Sequence, residues 1–302
     1  METLHQIRGR GAADNPPNRF ERLEFQPDPE ARDPDDPGPR TVFLRDPART
    51  LITRNDSPDV SFDYGINPYR GCEHGCSYCF ARPTHEYLGM SAGLDFETRI
   101  LVKEDAPEIL RRELAARGWK GDALGLSGVT DPYQPVERKL GLTRRCVEVL
   151  AEFRNPVTVI TKSHTVTRDA DLYGELARHS AARVFLSITT LDPALQRVME
   201  PRASTPARRL DAVSILADAG VRVGVLIGPV IPGLNDHEIP AILDASAKAG
   251  ASFATYVALR LPHGVKELFS DWLERHFPDR KEKVLNRVRE MRGGKLYDPR
   301  FH

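Results

Sequence analysis

From about residue 60 onward, short β-branched runs alternate with longer helical patterns, and this alternation constrains the fold more than any other feature. Residues 61–67, 123–127, 157–161, 184–188, 221–227 and 253–261 read as strands. Helical periodicity fills 105–117, 143–153, 168–179, 206–219 and 236–249, and two further helices, 265–276 and 279–291, follow the last strand. Gly220 and Gly250 sit where helix C-caps belong. Strands separated by helices of this length form βαβ units and a parallel sheet. The run Val221-Arg222-Val223-Gly224-Val225-Leu226-Ile227 is apolar enough for a sheet covered on at least one face. About six units are too few for a closed eight-stranded barrel. The expected architecture is α/β: an open, partial six-stranded β/α barrel of parallel strands, with a doubly wound sheet as the other arrangement. In both, ligands gather at the C-terminal ends of the strands.

Residues 1–55 differ in kind. The first 50 hold eight of the 24 prolines, and their few apolar residues show no period. Proline removes backbone donors and breaks helices, so this segment is expected to be a mostly disordered or loosely draped arm. The barrel is expected over 56–262 and a C-terminal helical extension over 263–302. The chain ends soon after Gly293-Gly294-Lys295 without an evident closing element, as a piece of a longer protein would.

With 40% hydrophobic and 28% charged residues, the chain can bury a sizeable core and is not wholly disordered. No stretch approaches the roughly 20 apolar residues that span a bilayer. Met1 to Arg10 lacks the apolar core of a secretory signal. Lys+Arg and Asp+Glu both number 43, so the net charge gives no general pull toward nucleic acid or an anionic membrane. The expectation is a cytoplasmic protein with no membrane partner.

Three of the four cysteines lie within eight residues, in Gly71-Cys72-Glu73-His74-Gly75-Cys76-Ser77-Tyr78-Cys79-Phe80. This chain is too long and too poor in cysteine to be a disulfide scaffold, so the clustered thiols read as metal ligands. A structural zinc site takes four ligands. Three thiolates without an evident fourth leave a coordination position for something other than protein. A cubic [4Fe–4S] cluster held by three of them would expose one iron. Gly71 and Gly75 permit left-handed turns and close backbone approach to the sulfurs. Zinc held by the three cysteines plus His74 or His85 is the competing reading, and would make the loop structural in an interaction module. Cys146, beside Val147 in a helical pattern, reads as a packed small hydrophobe.

The C-x3-C-x2-C spacing with aromatic Tyr78 before the last cysteine, followed by βα units, resembles the radical S-adenosylmethionine (radical SAM) superfamily over about residues 60–262. Three strand-end segments resemble its spore photoproduct lyase-like branch, also described as DNA repair photolyase-related. They are Thr130-Asp131-Pro132-Tyr133-Gln134-Pro135, Thr161-Lys162-Ser163 and Ser187-Ile188-Thr189-Thr190.

The resemblance implies a [4Fe–4S] cluster on Cys72, Cys76 and Cys79, with S-adenosylmethionine chelating the open iron. It implies reductive cleavage to methionine and a 5′-deoxyadenosyl radical that abstracts hydrogen from a substrate the sequence does not name. Tyr78 would lie beside the adenine. Ser127, Gly128 and Thr130 replace the superfamily's Gly-Gly-Glu-like segment, so Ser127, Thr130 or Asp131 would accept from the methionine amine. Lys162 would face the methionine carboxylate, where a point cation suits it. Ser187 and Thr189 would meet the ribose hydroxyls, and Gly228 with Pro229 and Val230 would lie against the adenine. Glu200 and Arg202 read equally as a local ion pair or as SAM contacts, and Arg209, on a helix face, reads as surface. The implied partner is a reduced flavodoxin- or ferredoxin-like electron donor. A DNA-lesion lyase is the narrower alternative. It draws little support from the charge balance, and the hydrogen-donating cysteine that such chemistry takes from late in the chain is absent after Cys146.

Overall fold

The computed structural model describes residues 7–20, 39–55 and 62–298. In chain order the strands are β1 (Val42–Arg45), β2 (Thr53–Arg54), β3 (Tyr64–Ile66), β4 (Tyr69–Arg70), β5 (Arg99–Val102), β6 (Leu124–Leu126), β7 (Val157–Thr161), β8 (Ala182–Ser187), β9 (Arg222–Val230) and β10 (Phe253–Ala258). The α-helices are α1 (Leu94–Thr98), α2 (Ala106–Leu114), α3 (Glu137–Leu140), α4 (Leu142–Phe153), α5 (Ala170–Ala177), α6 (Pro193–Met199), α7 (Pro206–Asp218), α8 (Ile239–Lys248), α9 (Val265–His276) and α10 (Pro278–Met291).

The main sheet runs β2-β3-β6-β7-β8-β9-β10. Every neighbour from β3 to β10 is parallel, and β2 joins β3 antiparallel. The six parallel strands therefore lie side by side in chain order. A doubly wound sheet reverses its order at a switch point; this one does not. Right-handed crossovers that always step the same way put all helices on one face. The sheet is thus a β/α half-barrel of six parallel strands with antiparallel β2 added beside β3, so that β10 and β2 form its two edges, with no closure between them among the described residues.

Burial follows from this. In β7, Val157, Val159 and Thr161 are buried while Thr158 and Ile160 are half-buried. In β8, Ala182, Val184 and Leu186 lie beneath the helices, and Arg183 and Phe185 are half-buried. The main core joins these strands to α2, α4, α5, α7 and α8 through Leu110, Val147, Leu150, Tyr173, Val213 and Ile242. Gly220 adopts φ +78 after α7, and Val221 N–H returns to Leu216 O at 3.0 Å, the expected C-cap. Among the described residues no helix is long and apolar enough to cross a membrane.

Two features depart from the sequence reading. First, parts of residues 7–20 and 39–55, in the arm expected to be mostly disordered or loosely draped, make defined contacts; residues 1–6 and 21–38 lie outside the described residues. Leu51 is fully buried, and Glu113 accepts the N–H groups of Leu51 and Ile52 at 3.1 and 2.8 Å. Second, β1, β5 and β4 form a separate three-stranded sheet beside the barrel. β4 leads directly into the cysteine loop. On the other side of that loop a second core brings Cys76, Tyr78 and Met199 together with Leu259, Trp272 and Val284, so α9 and α10 pack against the loop's own neighbours.

Candidate functional site

The cysteine loop runs between β4 and a 3₁₀ helix over Arg82–Leu88. Gly71 at φ +81 and Gly75 at φ +67 supply two left-handed turns, as their sequence positions suggest. The backbone of the loop is held on several sides. Cys72 N–H donates to Phe96 O at 2.9 Å, and Ser77 N–H to Met199 O at 3.1 Å. Gly71 O accepts from Thr130 Oγ1 at 2.6 Å and from Gln134 Nε2 at 3.1 Å. Gln134 Oε1 accepts from Glu73 N–H at 2.9 Å. The Glu73 carboxylate takes Val136 N–H at 2.7 Å and the Arg202 guanidinium at 3.0 Å.

Cys72 and Cys76 are buried, and Cys79 is half-buried and packs against the two apolar clusters to which they belong. Burial pushes all three thiols up; Asp131 and then the neighbouring Cys76 and Cys79 push Cys72 further. A bound cation supplies the countercharge such thiolates need. Ser77 Oγ, inside the same loop, is buried without a hydrogen-bond partner. Three soft donors on one loop with an orphaned hydroxyl among them fit an iron–sulfur group.

They fit a zinc ion less well. His74 Nδ1 lies 3.3 Å from Asp131 Oδ2, and His85 Nε2 lies 2.9 Å from Arg99 O. Among the described residues no three His, Cys, Asp or Glu side chains are drawn together as one metal ion requires. A cubic cluster does not need that, since each thiolate binds its own iron.

The ends of β7, β8 and β9 face this loop. Thr161 pairs with Leu186 and Ser187 with Leu226, so the register sets Lys162 beside Ser187, with Gly228 two residues past Leu226 and its carbonyl within reach of both side chains. Lys162 Nζ donates to Ser187 Oγ at 2.8 Å and to Gly228 O at 3.2 Å, and lies 5.7 Å from the centre of the Tyr78 ring. Thr189 Oγ1 is 2.7 Å from Glu200 Oε1 and 3.1 Å from Gly228 O. The Tyr78 hydroxyl also donates to Glu200 Oε1.

Glu200 organises this corner. It is fully buried and bonded to Arg209, with Lys162 Nζ at 3.9 Å. Burial by itself would raise its carboxyl, but Arg209, Lys162, Thr189 and Tyr78 outweigh that and bring it down to about 2. Arg209 is itself buried and donates to Ser187 O at 2.8 Å and Ser204 O at 2.7 Å.

Of the expected cofactor residues, then, Tyr78, Lys162, Ser187, Thr189 and Gly228 converge. Ser127, Gly128 and Thr130 occupy a separate turn after β6, where Ser127 Oγ donates to Thr130 O at 3.3 Å and Thr130 faces the back of the cysteine loop. Asp131 links the two groups. It accepts from Thr161 Oγ1 at 2.7 Å and Lys162 N–H at 2.8 Å while contacting His74, and these contacts lower its carboxyl despite burial.

Two readings need correction. Arg209 is not a surface residue, and Glu200 pairs with Arg209 rather than with Arg202, which pairs with Glu73. A signal for Arg209 was present. It stands three, four and seven residues before Ala212, Val213 and Leu216, all buried on one stripe of α7. A cation on an apolar stripe needs a buried anion.

The family model of the radical SAM superfamily matches residues 66–245, more than half the chain. An uncharacterised protein of Mycobacterium tuberculosis is 36% identical over 245 residues, covering 80% of this chain and 71% of its own. One from Methanocaldococcus jannaschii is 29% identical over 225 residues, covering 74% and 80%. Among solved structures, a spore photoproduct lyase variant with AdoMet and dinucleoside spore photoproduct bound superposes with a TM-score of 0.54 at 18% identity, over 84% of this chain and 80% of that one. A second lyase structure is covered over 66% of its length at the same TM-score. The half-barrel, the three-cysteine loop and the family match lead to one conclusion: the chain belongs to the radical SAM superfamily and is an enzyme of that class.

Proposed function

We propose that Cys72, Cys76 and Cys79 bind a [4Fe–4S] cluster and that S-adenosylmethionine binds between it and the ends of β7, β8 and β9. Bound together, these groups supply reductive cleavage of the sulfonium carbon–sulfur bond and a 5′-deoxyadenosyl radical for hydrogen abstraction. The observation that carries the reading is the convergence of Lys162, Ser187, Thr189 and the Gly228 carbonyl beside Tyr78, a residue of the cysteine loop.

Lys162 is the group available to a ligand carboxylate. Its hydrogen-bond partners are a hydroxyl and a carbonyl, and Glu200, 3.9 Å away, is bonded directly to Arg209. Ser187 and Thr189 offer hydroxyls at ribose height, and Gly228 lets backbone approach a flat base. Glu200 and Arg209 touch each other and the walls; they fix the wall and do not bind the ligand. The half-barrel limits access of water and stray C–H bonds to the reactive corner.

An external one-electron donor of the flavodoxin or ferredoxin kind completes the system. Anaerobic reconstitution with iron and sulfide, followed by dithionite and S-adenosylmethionine, tests the reading. About four irons per chain and formation of 5′-deoxyadenosine are expected; stoichiometric zinc without cleavage refutes it.

The substrate is an organic molecule with an abstractable hydrogen that reaches the concave face of the sheet. A nucleic-acid lesion, as in the lyase complex, is one such class. Lyase chemistry with a cysteine hydrogen donor is not supported here, because Cys146 is fully buried in α4 behind the sheet.

A further inference from the structure

The family match begins at residue 66, yet the outer side of the cysteine loop is covered by residues 10–13. Glu97 joins the two. It is fully buried, and its carboxylate accepts Gly11 N–H at 3.1 Å, Ala12 N–H at 2.9 Å and Arg82 Nη2 at 2.5 Å. Arg82, also fully buried, then caps the loop: Nε and Nη2 donate to Cys76 O at 3.1 and 2.8 Å, and Nη1 donates to Ala92 O and Gly93 O. Arg10 adds a bond from Nη1 to Glu97 O at 3.1 Å.

The fit between arm and loop is close. A Cβ on Gly11 would stand 1.9 Å from Gly75 O, and one on Gly75 would stand 2.7 Å from Glu97 Oε2. The contact continues along the chain, with Leu94 N–H on Asp14 O and Asn18 Nδ2 on Glu86 O and Met90 O. Two backbone donors of the arm thus complete the shell of a carboxylate whose cationic partner holds the middle cysteine's carbonyl.

We propose that residues 10–13, Glu97 and Arg82 form a brace that keeps the three-cysteine loop in its ligating shape, so that iron retention and cluster potential depend on the arm. The proposal rests on the radical SAM reading above. Glu97 and Arg82 act as positioning residues, since neither ligates iron. Their charges cancel beside the thiolates. Removing the anion while keeping the cation therefore favours the reduced, more negative cluster.

The full-length chain and its Gly11→Ala and Glu97→Gln variants test this. In the metal-free proteins, amide hydrogen exchange across residues 72–80 is expected to speed up in both variants while exchange in α10 stays at the wild-type rate. In the reconstituted proteins, iron loss to a chelator is expected to rise about 10-fold. The Glu97→Gln midpoint potential is expected to move positive, which loosened packing would not dictate. Wild-type exchange over 72–80 and wild-type iron loss in Gly11→Ala, or an unmoved potential in Glu97→Gln, would overturn the proposal. If the wild-type chain takes up no iron, the radical SAM reading fails, and the exchange measurement alone decides whether the brace exists.

Discussion

Arg209→Met replaces the buried guanidinium opposite Glu200 with an apolar chain of similar length that fills the space without a charge. Glu200 then keeps Tyr78 and Thr189 as hydrogen-bond donors and Lys162 at 3.9 Å, but loses its strongest partner. Breaking a buried ion pair on one side costs about 3–5 kcal/mol. The depressed carboxyl agrees in direction, since Arg209 is the strongest of the contacts that hold Glu200 below its usual range against the effect of burial. The sign follows from the depressed carboxyl. Its contribution is complete above the unfolded value of 4.5 and is lost as pH falls toward 2. Urea denaturation of the metal-free protein should therefore show the variant less stable by about 3 kcal/mol at neutral pH, with a gap that narrows below pH 4.5. Adding Glu200→Gln to Arg209→Met should recover part of the loss, since no uncompensated charge is then buried. A loss below about 1 kcal/mol, as for ordinary surface positions, or a gap that ignores pH, would refute the role given to this pair.

Lys162→Met should weaken S-adenosylmethionine binding to the reconstituted enzyme about 10-fold or more, the worth of one charged hydrogen bond, as read by equilibrium dialysis. The melting temperature should fall by less than in Arg209→Met, because Lys162 Nζ lies 3.9 Å from Glu200 whereas Arg209 bonds it directly. Alanine at Cys72, Cys76 or Cys79 should abolish iron binding, whereas Cys146→Ala should keep it and cost about 1–2 kcal/mol from the packed core; iron analysis and denaturation separate the two classes. Thr130→Val removes the 2.6 Å bond to Gly71 O and should destabilise by about 1 kcal/mol without altering S-adenosylmethionine affinity. Equal stability, or a large loss of affinity, would return Thr130 to the cofactor pocket.

How far each feature was legible depended on how much chain encoded it. The strand over 157–161 and the helix over 265–276 coincide with β7 and α9, because five β-branched residues or three turns carry a readable signal. β1, β4 and β5 are two to four residues long and give no period. Their sheet forms because tertiary pairing offers partners, as between Val42 and Arg99. The contacts of the arm were not legible for the same reason. Proline-rich composition reports how few apolar residues there are, but not that Leu51 and Ala12 have places waiting for them. In the site, the cysteine spacing and the polar strand ends were visible, since strand order alone brings Lys162 beside Ser187 at the ends of neighbouring strands. Glu97 was not, because two of its donors, Gly11 and Ala12, lie in the arm; Glu200 was singled out, but beside Arg202 rather than with Arg209. Thr130 followed the rule about strand ends but turned toward the loop, where Gly71 O needed a donor.

The central claim is that three thiolates leave one iron open to S-adenosylmethionine beside Lys162. Electron paramagnetic resonance of the dithionite-reduced, reconstituted enzyme, recorded with and without S-adenosylmethionine, tests this most directly. The account expects a [4Fe–4S] signal whose g-values shift when S-adenosylmethionine is added, with a much weaker shift at the same concentration in Lys162→Met. An unchanged signal at saturating S-adenosylmethionine, or no iron–sulfur signal at all, would contradict it.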